Sequence, residues 1–167
     1  MDNQVNFGWW DLIKMISKEL DINDISYSYD ASTSLFVHGM EIDMDDLDIM
    51  VQWDCFTKSY DLFQKYQPSE ISYHSFVHYH FYINGLKVHI LGSEQIDNLA
   101  EDLERVRLIT TQDDVVWSKS LFFYRRHLAT GHSMIQEIDA WIEDNKACVE
   151  VLYGNKLDHL YAYRGGE

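Results

Sequence analysis

The 167-residue chain carries 28 acidic against 13 basic side chains, a formal net charge of −15, and this argues against nucleic acid as a partner because proteins bind its phosphates through lysine and arginine. The charge favours a cationic small molecule or a basic protein, although it also serves solubility alone. Apolar residues make up 46% of the chain, which excludes a disordered protein and predicts a single domain over 1–167 with a sizeable core.

Nothing in the sequence predicts export or membrane insertion. The segment 1–4 lacks the basic start and apolar run of a signal peptide, and no apolar stretch is long enough to span a bilayer. Cys55 and Cys148 lie far apart without metal-ligand spacing, which is typical of free thiols in a reducing compartment. We therefore expect a cytoplasmic protein.

The first third of the chain alternates helical and extended patterns. Apolar residues at helical spacing predict an amphipathic helix over 8–20. A short strand over 25–29 and a helix over about 32–38 follow, and a new strand begins at Asp46. Asp30 or Ser32 is the predicted N-cap of the second helix; the start of that helix either binds phosphate through free backbone N–H groups or has a structural role alone.

The clearest local signal is Asn84-Gly85 between two alternating runs, which predicts a two-residue hairpin turn. This turn sets the register of the hairpin: Ile83 with Leu86, Tyr82 with Lys87, His80 with His89, and His78 with Leu91. One face is then apolar (Tyr79, Phe81, Ile83, Leu86, Val88, Ile90) and the other polar (His78, His80, Tyr82, Lys87, His89).

The rest of the chain predicts four more helices and one more strand, with a tail from Ala147 left unassigned. The helices are predicted over 55–66, 96–103, 114–128 and up to about Asn145, and the strand over 71–77; residues 106–109 are ambiguous. The fold class is α/β (α+β): a mixed, twisted sheet with helices on its apolar face and a helical C-terminal extension over about 96–145.

Asp46 and Asp48 alternate with Leu47 and Ile49. On a strand, alternate side chains share a face, so both carboxylates point one way while the apolar residues enter the core. Paired carboxylates repel each other unless a cation lies between them, and oxygen ligands suit Mg²⁺ or Mn²⁺, which bridge to substrate phosphates. The alternative is a solvated acidic turn.

The order of these motifs resembles the signature of the nucleotidyltransferase superfamily, which has the DNA polymerase beta-like fold. Ala31-Ser32 stands where that family has Gly-Gly or Gly-Ser, and Asp46 and Asp48 match its two metal carboxylates. The resemblance covers a core of about 26–92. It implies that Asp46 and Asp48 are catalytic and hold Mg²⁺ or Mn²⁺, and that Ala31, Ser32 and Thr33 bind the nucleotide phosphates.

Two further residues enter through the same resemblance. The family places a third carboxylate on a later strand, and in Val88-His89-Ile90 this place is taken by His89. His89 and its pairing partner His80 then provide a general base or, with Asp46 or Asp48, a softer metal site, or they lie on a hydrated face without function. Lys119 on the helix predicted over 114–128 neutralises phosphate charge, or it is an ordinary surface lysine.

The resemblance implies a metal-dependent enzyme that moves a nucleoside monophosphate from an NTP to a hydroxyl or another nucleophile. The acidic charge of the chain favours a small, cationic molecule or a protein as the acceptor. The alternative is a catalytically degenerate member of this fold that acts as a binding or interaction module. Ala31 in place of glycine and His89 in place of the acid favour that alternative. The nucleotide, the acceptor and the oligomeric state are not set by the sequence.

Overall fold

The computed structural model describes residues 6–74 and 76–145; Cys148 and the tail from Ala147 lie outside them. Its helices and strands are α1 (Trp9–Ile22), β1 (Tyr27–Tyr29), α2 (Ala31–Val37), β2 (Asp46–Val51), α3 (Phe56–Leu62), β3 (Val77–Ile83), β4 (Leu86–Gly92), β5 (Arg105–Ile109), β6 (Val115–Lys119), α4 (Leu121–His127) and α5 (Ser133–Asp144). Within this part of the chain, no helix combines the length and the apolar character needed to cross a membrane.

The six strands form one mixed sheet in the order β3-β4-β2-β1-β6-β5. The pairs β2–β4 and β1–β6 are parallel, and the other neighbours are antiparallel. The predicted hairpin register is confirmed: Ile83 pairs with Leu86 and His80 pairs with His89. The α+β fold class is therefore confirmed, and β2 lies beside the hairpin strand that carries His89.

The helices bury the apolar face of this sheet. Phe63, just beyond α3, packs on Phe81 with 4.9 Å between ring centroids, and Phe56 contacts Tyr79 at 5.4 Å. The apolar side chains of α1 join the same core as those of β2, β3 and β4. The opposite face of β2, β4 and β3 carries the acidic and histidine side chains of these strands, together with the apolar Met50 and Leu91.

The helix predicted over 114–128 is wrong in its first half. Residues Val115–Lys119 form β6, which pairs with β1 and β5 and buries Val116. Helix α4 begins only at Leu121, where the Ser120 hydroxyl caps it by accepting the N–H of Phe123. The helical spacing was coincidental, because the β-branched pair Val115-Val116 favours a strand once a sheet edge is available.

Two weaker predictions also differ from the structure. The segment 96–103 is not a helix but contains short 3₁₀ turns at Glu94–Ile96 and Leu99–Glu101. The strand predicted over 71–77 is reduced to one bridge between Ser72 and His78. The ambiguous segment 106–109 belongs to β5.

Candidate metal centre

Asp46 and Asp48 stand at the start of β2, on the polar face of the sheet. Their neighbours Leu47 and Ile49 are fully buried, so the pleat turns both half-buried carboxylates to the opposite side. This placement on one face of a strand confirms the geometry predicted from the alternation. An acidic turn is therefore the wrong description, because regular strand pairing holds both residues.

The start of α2 is tied to the same two residues. The Thr33 hydroxyl accepts the backbone N–H of Asp48 at 2.9 Å and lies 3.4 Å from the carbonyl oxygen of Asp46. The N–H of Asp30 donates to the carbonyl of Asp48 at 2.9 Å. The predicted proximity of the Ser32 helix to the acid pair is thus confirmed, and the buried Thr33 side chain holds the two elements together.

His89 reaches the acid pair through the parallel pairing of β2 with β4. The register places His89 directly beside Asp48, and the His89 Nδ1 lies 3.0 Å from the Asp48 Oδ1. Asp46, Asp48 and His89 each offer one ligand atom, and these atoms lie within 4.8 Å of one another. Two carboxylates and one imidazole fit a divalent cation, with a softer donor set than three carboxylates.

The electrostatics of the acid pair agree with this placement. Burial raises the pKa of the Asp46 carboxyl, and the adjacent charge of Asp48 raises it further, whereas His89 and Lys87 act in the opposite direction. Lys87 stands directly beside Asp46 in the β2–β4 register. The two negative charges are therefore held together at a cost, which a cation between them would remove.

The residue at the first position of α2 has an unusual backbone. Ala31 has a φ of +52°, a left-handed conformation that glycine adopts far more readily than alanine. Its N–H donates to the Asp30 Oδ1 at 2.8 Å and to the Tyr124 hydroxyl at 2.6 Å. Tyr124 also donates to Asp30, and burial together with the Asp30 charge raises the pKa of the phenol.

Lys119 is the last residue of β6 and does not lie on a helix. The parallel pairing of Tyr29 with Ser118 brings it to the same end of the sheet as Asp30. Its side chain is buried, with its Nζ 3.6 Å from the Asp102 Oδ2 and 4.4 Å from the Phe123 ring. An ordinary surface lysine is thus also the wrong description.

Three residues of this region had no role assigned from the sequence: His78, Lys87 and Tyr124. The alternation in the hairpin puts His78 and Lys87 on the polar face, but only the β2–β4 pairing brings that face to the acid pair. Tyr124 carried no signal, since it reaches Ala31 from α4, 93 residues along the chain.

No protein-family model and no curated protein matches the sequence. Solved structures do match. A candidate nucleotidyltransferase (TM1012) from Thermotoga maritima superposes with a TM-score of 0.55 and 18% identity, covering 86% of this chain and 99% of that one. ANT(2")-Ia in complex with adenylyl-2"-tobramycin superposes with a TM-score of 0.55 and 11% identity, covering 92% of this chain and 95% of that one. The chain therefore has the nucleotidyltransferase fold.

Proposed function

We propose that this chain is a metal-dependent nucleotidyltransferase that moves a nucleoside monophosphate from an NTP to an acceptor nucleophile. One observation carries the proposal: on a nucleotidyltransferase fold, Asp46, Asp48 and His89 bring their ligand atoms within 4.8 Å of one another, beside the start of α2. Carboxylates held by a rigid sheet are preorganised for a cation, which lowers the cost of binding it.

Asp46 and Asp48 would hold Mg²⁺ or Mn²⁺, and His89 would be the third ligand. When bound, such a cation would offset the negative charge of the triphosphate and the charge that develops as the α-phosphorus is attacked. Both nitrogens of His89 face protein atoms, Asp48 on one side and His78 on the other. With the cation at its Nδ1 and His78 at its Nε2, His89 would have no nitrogen left to receive the acceptor proton, so the ligand role leaves no place for a general-base role.

The phosphates would lie against the start of α2. Ser32 is half-buried there, and its hydroxyl and the backbone of Ala31 would donate to phosphate oxygens. Thr33 would contribute its position only, because its hydroxyl bonds the backbone of β2. Lys119, at the end of β6, would contribute positive charge if its Nζ left the ion pair with Asp102 and contacted a phosphate instead.

The acceptor would be a small cationic molecule. The net charge of −15 attracts such a molecule and repels nucleic acid. In the ANT(2")-Ia complex, the bound species is adenylyl-2"-tobramycin, an adenylylated small molecule. A basic protein is the other acceptor that the charge allows.

A second candidate function is a non-catalytic nucleotide-binding or interaction module on the same fold. The observation that favours it is the start of α2, where Asp30 and Tyr124 already accept the N–H of Ala31. A phosphate would have to displace the Tyr124 hydroxyl to use that donor. The presence of His89 in the position of an acid points in the same direction.

Calorimetry of the wild type with each NTP, in Mg²⁺ or Mn²⁺, tests the proposal. We expect an NTP to bind only in the presence of the metal ion. In a separate assay with cationic acceptors, we expect the protein to release pyrophosphate from the bound NTP. Asp48→Asn should weaken NTP binding by about 100-fold or more, since the loss of a residue that only supports a metal ligand already weakens binding by about 10–100-fold. Asp45→Asn makes the same charge change at an exposed position outside the group and should leave binding unaltered.

Two results would count against the enzyme. Equal NTP binding by the wild type and Asp48→Asn would overturn the metal centre. Metal-dependent NTP binding without pyrophosphate release, across a panel of cationic small molecules and basic proteins, would replace the enzyme with the binding module.

A further inference from the structure

His89 is held by a second hydrogen bond on the side away from the acid pair. Its Nε2 lies 3.0 Å from the Nδ1 of His78, and its Nδ1 lies 3.0 Å from the Asp48 Oδ1. Asp48, His89 and His78 therefore form a continuous chain across β2, β4 and β3. The two imidazole rings meet edge to face, with 4.9 Å between centroids and 88° between planes.

This contact is not a simple consequence of strand pairing. The residue directly opposite His89 in the hairpin is His80, and His78 lies on the diagonal, opposite Leu91. Diagonal neighbours on one face are within reach of long side chains but are not brought together by the register alone. The His89 ring is thus turned toward His78, although His80 is its closer partner along the ladder.

A neutral imidazole carries one N–H, and the hydrogen bond at one nitrogen decides which tautomer is present. A metal ion at the Nδ1 requires its lone pair, so the proton must be on the Nε2. The Nε2–H then needs an acceptor, and the Nδ1 of His78 lies at hydrogen-bond distance. Metal-binding histidines commonly donate their second N–H to a carboxylate, a backbone carbonyl or water, which fixes ring orientation and raises the basicity of the ligand, and the His78 Nδ1 is placed to serve as the acceptor here.

We propose that His78 is a positioning residue of the metal centre: with a metal ion bound, it accepts the Nε2–H of His89 and so holds the Nδ1 lone pair toward the ion that Asp46 and Asp48 bind. The inference rests on the proposed metal centre and assigns it an outer residue. In this arrangement His89 on β4 binds the metal ion, and His78 on β3 fixes the orientation of the His89 ring.

Three variants separate this role from packing. His78→Phe keeps a ring on β3 without any nitrogen, and His78→Asn keeps a polar acceptor at about the position of the Nδ1. His80→Phe makes the same ring change two residues along the same polar face and is the matched control.

Electron paramagnetic resonance of free Mn²⁺, recorded without nucleotide, measures the affinity. We expect His78→Phe to weaken Mn²⁺ binding by about 10–100-fold. We expect His78→Asn and His80→Phe to stay close to the wild type, because each keeps an acceptor for the Nε2–H of His89.

Long-range ¹H–¹⁵N spectra of the imidazoles give a readout that packing alone would not move. With Zn²⁺ added, the wild type and His78→Asn should show His89 protonated at the Nε2 only. His78→Phe should shift His89 toward the form protonated at the Nδ1, with Asp48 as the acceptor.

Three outcomes would overturn the role of His78 while leaving the metal centre in place. These are Mn²⁺ binding by His78→Phe equal to that of the wild type, equal weakening by His80→Phe, and equal weakening by His78→Asn. Failure of the wild type itself to bind Mn²⁺ would overturn the metal centre and this role together, so the two failures are distinguishable.

Discussion

The two faces of β2, β4 and β3 use alternate residues of the same strands for different purposes. On one face, Tyr79, Phe81, Val88 and Ile90 are exposed by 1% or less and pack against the helices. On the other face, the acid pair and the histidines are half-buried and contact one another. Stability thus resides on one face and charge on the other, so His89 can stand in place of an acid without disturbing the core.

The largest expected effect is on the apolar face. Phe81→Ala should lower the free energy of unfolding by about 3–5 kcal/mol, since it leaves a cavity beneath Phe63 and Tyr66. Denaturant titration measures it. Tyr82→Ala, one residue along and 56% exposed, is the control and should change the free energy of unfolding much less. Similar losses in the two variants would contradict the division between faces.

On the polar face, His89→Asp should change binding more than folding. A third carboxylate beside Asp48 adds negative charge and hard oxygen donors, so the affinity for Mg²⁺ should rise by roughly tenfold relative to that for Zn²⁺. Competition titrations of the two ions measure this preference. If the variant neither gains Mg²⁺ affinity nor transfers a nucleotide, residues other than His89 also prevent catalysis, and the binding module becomes the better description of the protein.

The start of α2, where the acid pair meets the helix, predicts a smaller gain. Ala31→Gly should raise the free energy of unfolding by roughly 0.5–1 kcal/mol, because relief of the left-handed alanine exceeds the added entropy of the unfolded chain. Ala140→Gly, the same change at an exposed position of α5, should lower it by about 1 kcal/mol. Two losses of equal size would show that the Ala31 backbone is not strained.

The smallest expected effect is the stability cost of the acid pair. The pKa of Asp46 is raised in the folded protein, so folding is more favourable with this carboxyl protonated than with it ionised. Its penalty therefore grows as the pH rises from below the unfolded pKa through the folded pKa, and it is complete at neutral pH. Without metal at pH 7, Asp46→Asn should be more stable by roughly 0.5 kcal/mol, within the range of side-chain pairs on a sheet, because burial of the carboxylate and its repulsion from Asp48 outweigh the attraction of His89 and Lys87.

Unfolding measured at pH 3 and pH 7 checks this prediction. The advantage of Asp46→Asn should be present at pH 7 and shrink at pH 3, where the wild-type carboxyl is protonated. An advantage that is independent of pH would assign the effect to shape and not to charge.

Local patterns predicted the half of the molecule that holds the candidate site. Asn84-Gly85 sets the hairpin register through its turn chemistry, and the alternation around Asp46 and Asp48 follows from the two-residue period of a strand. Both signals lie within a few residues of the feature they predict. His89 was found because the resemblance pointed to the middle of β4.

The features that were missed depend on contacts distant in sequence. Val115–Lys119 reads as part of a helix until β1 offers it a parallel neighbour, since tertiary pairing overrides short periodic patterns. The bond between Tyr124 and Ala31 spans 93 residues, and the turn of His89 toward His78 is a choice of side-chain conformation. None of these has a signal in local composition or spacing.

The parallel pairing of β2 with β4 also sets the order in which the residues of the candidate metal centre come together. The β3–β4 hairpin is local and forms on the microsecond scale, whereas Asp48 and His89 are 41 residues apart and meet only after the intervening chain has closed. A nascent chain that ends at β2 carries both carboxylates but not His89. The proposed cation would therefore meet its complete set of ligands only after these strands have paired, and binding to the folded state alone would add to the stability of the protein.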